Sequence, residues 1–156
     1  MTGAIDRFTE AARAEGIEPQ VRRFPEGTKT AADAARAIGC ELAQIVKSLV
    51  FMADGVPLIA LTSGANRVDP TRLAAVAGVS EVRRASPEEA RAATGFAVGG
   101  TPPFGHSEPV RTYLDPALQA FDEVWAAAGT PDSVFPLTPS DLQRATRAEP
   151  ADFVAA

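Results

Sequence analysis

The chain has 156 residues, of which 46% are hydrophobic and 22% are charged, and its net charge is −5. This composition is typical of one globular domain, and no apolar run approaches the roughly 20 residues that a membrane-spanning helix needs. Cys40 is the single cysteine and His106 the single histidine, which excludes an internal disulfide and disfavours a transition-metal site. We therefore expect one cytoplasmic domain over residues 1–156, with no cofactor, no metal and no membrane association.

Charge is unevenly distributed along the chain. Residues 21–111 hold eleven lysines and arginines against nine acidic residues, whereas residues 112–156 hold two against seven. A polyanionic partner would therefore meet the middle of the chain. A domain that binds nucleic acid along its whole surface would be far more basic, so no DNA partner is expected.

Helical and strand periodicities alternate in the first half of the chain. The predicted elements are, in chain order, a helix over 2–15, a strand over 21–24 ending in a turn at 25–27, a helix from Thr30 to Ile38, a helical turn over 41–44, and strands over 45–51 and 57–62. Thr30 is a suitable N-cap for its helix. The dipeptide Asp54-Gly55 predicts a tight turn that makes the last two strands antiparallel neighbours.

The second half continues without a regular strand–helix–strand rhythm. The predicted elements are a helix over 69–78, a strand over 79–84, a helix from Ser86 to Thr94, a loop over 95–106, a strand over 110–114, a short helix from Asp115-Pro116, strands over 123–127 and 133–137, and a helix over 142–147 with a frayed tail. Ser86 and Glu89 form the pattern of a capping box. The whole order predicts a mixed sheet packed with helices in one α/β domain of the α+β type.

The loop at residues 95–106 is too rich in glycine and proline to be a helix or an interior strand. It contains Gly99, Gly100, Pro102, Pro103 and Gly105. A stiff, bent loop of this kind can present free main-chain N–H groups to an oxyanion or a carbonyl oxygen, and we expect such groups from Gly99 to His106. Taken alone, the loop is more often a simple connection between strands.

Lys47 is one of only two lysines, against thirteen arginines. On a strand over 45–51 it would share a face with Ile45, Leu49 and Phe51. A lysine on such a face either extends to solvent or lies in a polar cavity. In a cavity, its ammonium could bind a phosphate or offset negative charge on a reacting carbonyl.

Other reactive residues lack partners in the sequence. His106 is more consistent with a loop residue than with a general base, and Cys40 with a buried, unreactive thiol. No G-x-S-x-G, Walker A or G-x-G-x-x-G pattern is present. Triad, metal-dependent and nucleotide-hydrolysing chemistries are therefore poorly supported.

Four segments together resemble the YbaK/prolyl-tRNA-editing family of aminoacyl-tRNA deacylases. They are residues 45–51, Arg67-Val68-Asp69 with Leu73, Gly95-Phe96 and 99–105, and the resemblance covers roughly residues 20–150. It implies a free-standing editing domain with a barrel-like mixed sheet of roughly six or seven strands surrounded by helices. It also implies hydrolysis of the ester that joins a wrong amino acid to the 3′ end of a tRNA, by a water, without a protein nucleophile or metal.

The same resemblance implies roles for individual residues. Lys47 and Gly100 would be catalytic. The predicted substrate contacts are Thr30, Ser48, Thr62, Gly99, Thr101, Pro102, Pro103, Phe104, Gly105 and His106. Thr30, Ser48 and Thr62 are equally open to interpretation as cap and strand residues. Thr101 stands where many relatives carry an aliphatic residue, so the polarity of the pocket would differ.

The substrate that the resemblance favours is tRNA(Pro) carrying a small amino acid such as alanine or cysteine. The partner is the aminoacyl-tRNA 3′ end, with prolyl-tRNA synthetase or an elongation factor as a further candidate. Two alternatives stay open: a non-catalytic module that binds a nucleotide or aminoacyl end, and a hydrolase of unrelated small esters. The presence of both Lys47 and the glycine-proline loop favours the deacylase.

Overall fold

A computed structural model describes residues 3–25, 28 and 30–156, which form one mixed sheet with helices packed around it. The helices are α1 (Ala4–Ala14), α2 (Ala31–Ile38), α3 (Pro70–Ala77), α4 (Pro87–Thr94) and α5 (Pro139–Thr146). The strands are β1 (Arg22–Arg23), β2 (Ile45–Ala53), β3 (Val56–Ser63), β4 (Val82–Arg84), β5 (Arg111–Leu114), β6 (Val124–Ala127), β7 (Ser133–Leu137) and β8 (Glu149–Pro150). Short 3-10 turns occupy Leu42–Gln44 and Pro116–Ala120. The predicted α/β class is confirmed.

Local signals in the sequence account for the element boundaries. Thr30 Oγ1 accepts a hydrogen bond from Asp33 N at 3.0 Å and begins α2. Ser86 and Glu89 form the predicted capping box at the start of α4. Asp54 and Gly55 both have left-handed backbone angles, with φ of 47° and 84°, as the tight β2–β3 hairpin requires.

The sheet is built around β2. Its strand order is β1-β7-β6-β2-β3-β5-β8, and β4 also pairs with β2. On one edge, β2 is antiparallel to β3 from Val46 to Ala53. On its other edge, β6 pairs in parallel with only Ile45 and Val46, and β4 pairs with residues 51–53. The middle of β2 therefore has a strand partner on one side only.

Two apolar clusters cover opposite faces of the central strands. One contains Val46, Val50 and Ile59 and extends to the rings of Phe8 and Phe135, whose centroids are 4.6 Å apart. The other contains alternate residues of the same strands, including Phe51 and Leu58. This alternation is the period-2 pattern of strands buried on both faces.

The C-terminal segment differs from its prediction. It was predicted to fray, but β8 pairs with β5, Val154 bridges Val68, and Phe153 is fully buried. Phe153 is held there because its carbonyl also accepts from Asp69 N at 2.8 Å. The turn predicted at 25–27 includes Glu26 and Gly27, and the first predicted helix begins at Thr2; these three residues lie outside those that the structure describes. No helix in the described part of the chain is long and apolar enough to cross a membrane.

We expect Phe153→Ala to lower the free energy of unfolding by about 3–5 kcal/mol, because it removes a buried ring from a packed cluster. Urea denaturation measures this change. Asp152→Asn is the control, since the Asp152 side chain is exposed and its ion pair with Arg72 lies at the surface. Equal free energies of unfolding of the two variants would mean that the Phe153 ring does not pack in the core.

Candidate active site

A cavity of about 320 Å³ opens beside the middle of β2. Its walls come from α2, β2, the end of β4, the loop after α4, β6 and β7. Five of the predicted site residues line it: Thr30, Lys47, Ser48, Gly99 and Thr101. The structure therefore brings the predicted lysine and the start of the glycine-proline loop to one place.

Lys47 is the one cationic group on the strand that lines this cavity. Its Nζ donates to the carbonyl oxygen of Asn66 at 2.6 Å, which leaves two of the three ammonium hydrogens for another acceptor. Burial lowers the pKa of Lys47 below its ordinary value of 10.5, the nearby Arg67 and Arg84 lower it further, and Asp115 acts in the opposite direction. Within the described part of the chain, Lys47 is thus held by a neutral carbonyl and not by an ion pair.

The carbonyl that holds Lys47 belongs to a buried polar network. Asp115 is 1% exposed, and its Oδ2 accepts from Asn66 Nδ2 at 2.9 Å and from Ser63 N at 3.1 Å. Its Oδ1 accepts from Ala117 N at 2.9 Å. Because Asp115 fixes Asn66, and Asn66 contacts Lys47, the position of the ammonium depends on a carboxylate that it does not touch.

Arginines add positive charge around the mouth of the cavity. Arg84 lines it and lies over the Phe51 ring, with its guanidinium carbon 5.6 Å from the centroid. Arg22 lies 5.5 Å from the centroid of Trp125, another lining residue. Stacking on an aromatic ring leaves guanidinium hydrogens free for an anion, so this region suits a negatively charged ligand.

The hydroxyls that line the cavity differ in their partners. Thr30 Oγ1 caps α2, and Thr101 Oγ1 donates to Ala97 O at 3.1 Å. Ser48 Oγ is buried and has no hydrogen-bond partner among the described residues. Thr62, which pairs with Lys47 across the hairpin, is fully buried and donates to Ala60 O. The structure does not place Thr62 at the cavity.

The predicted substrate loop divides into two parts. Gly99 lines the cavity with a left-handed φ of 91°. The prediction that Gly100 offers a free N–H is wrong, because this N–H donates to Ala97 O at 3.1 Å. Gly100 is instead required by packing: a Cβ there would lie 2.7 Å from the Cα and the carbonyl carbon of Thr130.

The second part of the loop turns away from Lys47. Phe104 packs in the core, with its ring centroid 5.2 Å from that of Phe8. The residues Pro103, Phe104, Gly105 and His106 line a separate groove beside β5. Contrary to the prediction, the structure does not bring these four residues, or the buried Pro102, to the cavity.

His106 is held by the loop itself. Its Nε2 donates to Pro102 O at 2.8 Å, so this nitrogen carries the hydrogen. Burial lowers the pKa of His106, an effect that the bond to Pro102 partly opposes. A neutral imidazole fixed in this way is consistent with the interpretation of His106 as a loop residue.

Several cavity residues were not predicted from the sequence. Thr28 is buried at the cavity wall through a 2.6 Å bond from its hydroxyl to Pro131 O. Arg84 and Ser133 also line the cavity, and Asn66 and Asp115 support Lys47. Of these residues, only Asp115 stands in a recognisable sequence pattern. That pattern, Asp before Pro, predicts the N-cap of a short helix, which Asp115 also forms, and does not predict a contact with the site.

Comparison with known proteins gives concordant relatives. The family model described as aminoacyl-tRNA editing domain matches residues 25–145. The chain is 34% identical over 126 residues to the uncharacterized protein YwhH of Bacillus subtilis (strain 168), and the match covers 80% of each chain. A solved structure described as a candidate trans-editing enzyme for prolyl tRNA synthetase matches with a TM-score of 0.93 and 41% identity, over 100% of this chain and 99% of that one.

Larger proteins also contain a similar segment. The chain is 29% identical over 129 residues to the proline--tRNA ligase of Citrifermentans bemidjiense. This match covers 80% of the chain but only 22% of the ligase. The similarity thus concerns about a fifth of that enzyme.

The lowered pKa of Lys47 predicts a pH-dependent stability. Between that pKa and 10.5 the unfolded chain binds more protons than the folded one, so the free energy of unfolding rises with pH. We expect wild type to gain stability relative to Lys47→Met as the pH is raised through the lowered pKa towards 10.5. Urea denaturation of both proteins across this range measures the difference, and a difference that stays constant with pH would contradict the lowered pKa.

Gly100→Ala is expected to lower the free energy of unfolding by about 1–3 kcal/mol, because its Cβ would overlap the backbone of Thr130. Calorimetric melting measures the effect. Gly3→Ala is the control: a Cβ at Gly3 meets only Asp6, at 3.8 Å, and the exchange at this N-cap of α1 should cost about 1 kcal/mol or less. Equal melting temperatures of Gly100→Ala and wild type would show that the backbone of Thr130 leaves room for a Cβ at residue 100.

Proposed function

The chain belongs to the aminoacyl-tRNA editing domain family, and from this premise we propose that it is a trans-editing deacylase. It hydrolyses the ester that joins a wrong amino acid to the 3′ end of a tRNA. The proposed substrate is tRNA(Pro) carrying alanine, cysteine or another small residue. The observation that carries the proposal is the cavity that holds Lys47 beside the middle of β2.

The chemistry of this cavity suits hydrolysis of an activated ester. An aminoacyl ester needs a positioned water and stabilisation of the negative charge that develops on its carbonyl oxygen. Lys47 has two free ammonium hydrogens for that oxygen or for the 3′-terminal phosphate, and Arg84 lies at the same cavity. The charge of the Lys47 ammonium is lost as the pH rises through its lowered pKa. Deacylation that needs this charge should therefore fall over the same pH range.

The size of the cavity favours a substrate with a small aminoacyl group. Much of the wall consists of alanines, including Ala31, Ala34 and Ala126, and about 320 Å³ accommodates a small amino acid with part of a ribose. A binding site rejects a smaller side chain by only about 10- to 200-fold per methylene, so an editing site works best by admitting small residues that a synthetase fails to reject. The similarity to proline--tRNA ligases and to a candidate trans-editing enzyme for prolyl tRNA synthetase favours tRNA(Pro) and a partnership with that synthetase.

The decisive experiment charges tRNA(Pro) separately with alanine, cysteine, serine and proline and follows deacylation. We expect at least one mischarged tRNA to be hydrolysed faster than prolyl-tRNA(Pro). Lys47→Ala should lose on the order of 10²–10³ in kcat/KM, the loss expected when a charge-stabilising donor is removed. Arg13→Ala is the control, because Arg13 is an exposed cation on α1 whose partner is Glu18.

Three outcomes would contradict this proposal. Retention of the full wild-type rate by Lys47→Ala would show that the ammonium has no part in the reaction. Tight binding of aminoacyl-tRNA without hydrolysis would identify a binding module. Hydrolysis of simple amino acid esters with the kcat/KM of the tRNA substrates would identify a general small-ester hydrolase.

A further inference from the structure

The cavity occupies a break in the sheet. On the edge of β2 that faces away from β3, β6 reaches only to Val46 and β4 begins only at Phe51. Residues 47–50 lie between these two partners, and all four line the cavity. Ala85, directly after β4, and Ala127, the last residue of β6, line it from the two sides.

The register shows which main-chain groups face this break. Gly64 N donates to Ile45 O at 2.7 Å, on the β3 side, and Ala85 N donates to Val50 O at 3.0 Å, on the opposite side. Because main-chain groups alternate between the two edges of an antiparallel strand, Lys47 and Leu49 direct theirs to β3. Ser48 directs its N–H and C=O into the break, and Val50 directs its N–H there.

These groups have no partner in the strand pairing of the described chain. A bond from Ser48 N to Ala127 O would extend the pairing of β6 with β2 to Lys47, but this pairing ends at Val46. A bond from Val50 N to Ala85 O would extend the pairing of β4 with β2 to Val50, but this pairing ends at Phe51. Ser48 O and Val50 N–H are thus an acceptor and a donor on one strand edge, at the wall of a cavity. An unpaired main-chain group of this kind favours a ligand that completes the pairing.

We propose that this break binds the aminoacyl group as if it were one residue of a parallel strand opposite Leu49. In that position, a residue donates its amino group to Ser48 O and accepts from Val50 N–H at its carbonyl oxygen. The site therefore requires a substrate with a free α-ammonium group. This inference rests on the proposed function and specifies the chemical class of its substrate.

Charge in the cavity agrees with this orientation. Among the residues that the structure describes, no aspartate or glutamate lines the cavity, so we assign the substrate ammonium to neutral oxygens. Ser48 O supplies one, and Ala127 O, at the end of β6, supplies a second that the strand pairing leaves free. Lys47 repels the ammonium and attracts the ester or phosphate oxygens, so the two ends of the substrate are distinguished.

The first test measures binding without turnover. Calorimetry compares 3′-deoxy-3′-(L-alanylamino)adenosine with its L-lactylamino analogue, in which a hydroxyl replaces the ammonium and the size is unchanged. We expect the alanyl compound to bind on the order of 10-fold or more tightly, because a charge-assisted hydrogen bond is lost in the lactyl compound. Equal affinities, or no binding of either compound, would overturn the inference.

A deacylation assay distinguishes failure of this inference from failure of the proposed function. L-alanyl-tRNA(Pro) and L-lactyl-tRNA(Pro) are compared after each rate is divided by the uncatalysed hydrolysis of the same ester. If neither ester is hydrolysed, and no other mischarged tRNA(Pro) in the screen described above is hydrolysed, the proposed function fails, whatever the binding result. If both are hydrolysed with equal normalised kcat/KM, the function stands and the requirement for an α-ammonium is wrong.

A backbone variant tests the Val50 donor. Replacing the Val50 amide by an ester, with the α-hydroxy analogue of valine, removes this N–H and keeps the side chain. We expect several-fold weaker binding of both adenosine analogues and little change in Tm, since no strand pairing is lost. The same replacement at Met52, which pairs with Arg83 in β4, should lower Tm and leave affinity unchanged; the reverse pattern would overturn the role of Val50.

Discussion

The site depends on how β2 is paired along one edge. β4 and β6 approach this edge from its two ends, one antiparallel and one parallel, and local bonds stop both before they meet. Ser86 N donates to the Glu89 carboxylate at 2.8 Å, within the capping box that turns the chain from β4 into α4. Ala128 N donates to Ser133 O at 3.2 Å and turns the chain from β6 into β7. A helix cap and a hairpin, neither of which contacts Lys47, therefore set the width of the cavity.

The electrostatics of the cavity depend on which groups Lys47 and Asp115 contact. A direct pair between Lys47 and a carboxylate would cancel the charge that an anionic ligand needs. Asp115 instead receives three hydrogen bonds, from Ser63, Asn66 and Ala117, and these occupy both of its oxygens. Lys47 contacts a neutral carbonyl of this network. The buried carboxylate thus fixes the position of the ammonium and leaves its field directed at the cavity.

Features that depend on neighbouring residues were predictable from the sequence. The strand that carries Lys47, the Asp54-Gly55 turn and the Ser86 cap are all determined by short-range propensities, and the structure contains each of them. Contacts between distant segments were not predictable. Thr28 reaches the cavity only because it bonds Pro131, and Gly100 is needed only because the backbone of Thr130 lies against it. Phe153 is likewise a core residue because Asp69 N binds its carbonyl and Val154 bridges Val68, and the sequence around Phe153 does not indicate either contact.

The division of the glycine-proline loop explains how a loop can shape a selective site. Phe104 is packed against Phe8 and Phe135, and Gly100 is held against Thr130, so the loop is fixed on both sides of Thr101. Gly99 and Thr101 at the cavity wall therefore move only if the core moves with them, which costs several kcal/mol when packing is disrupted. A wall of this kind excludes a larger side chain by repulsion, whereas a flexible loop would adapt to it. The segment of the loop that does not reach the cavity therefore makes the segment at the cavity rigid.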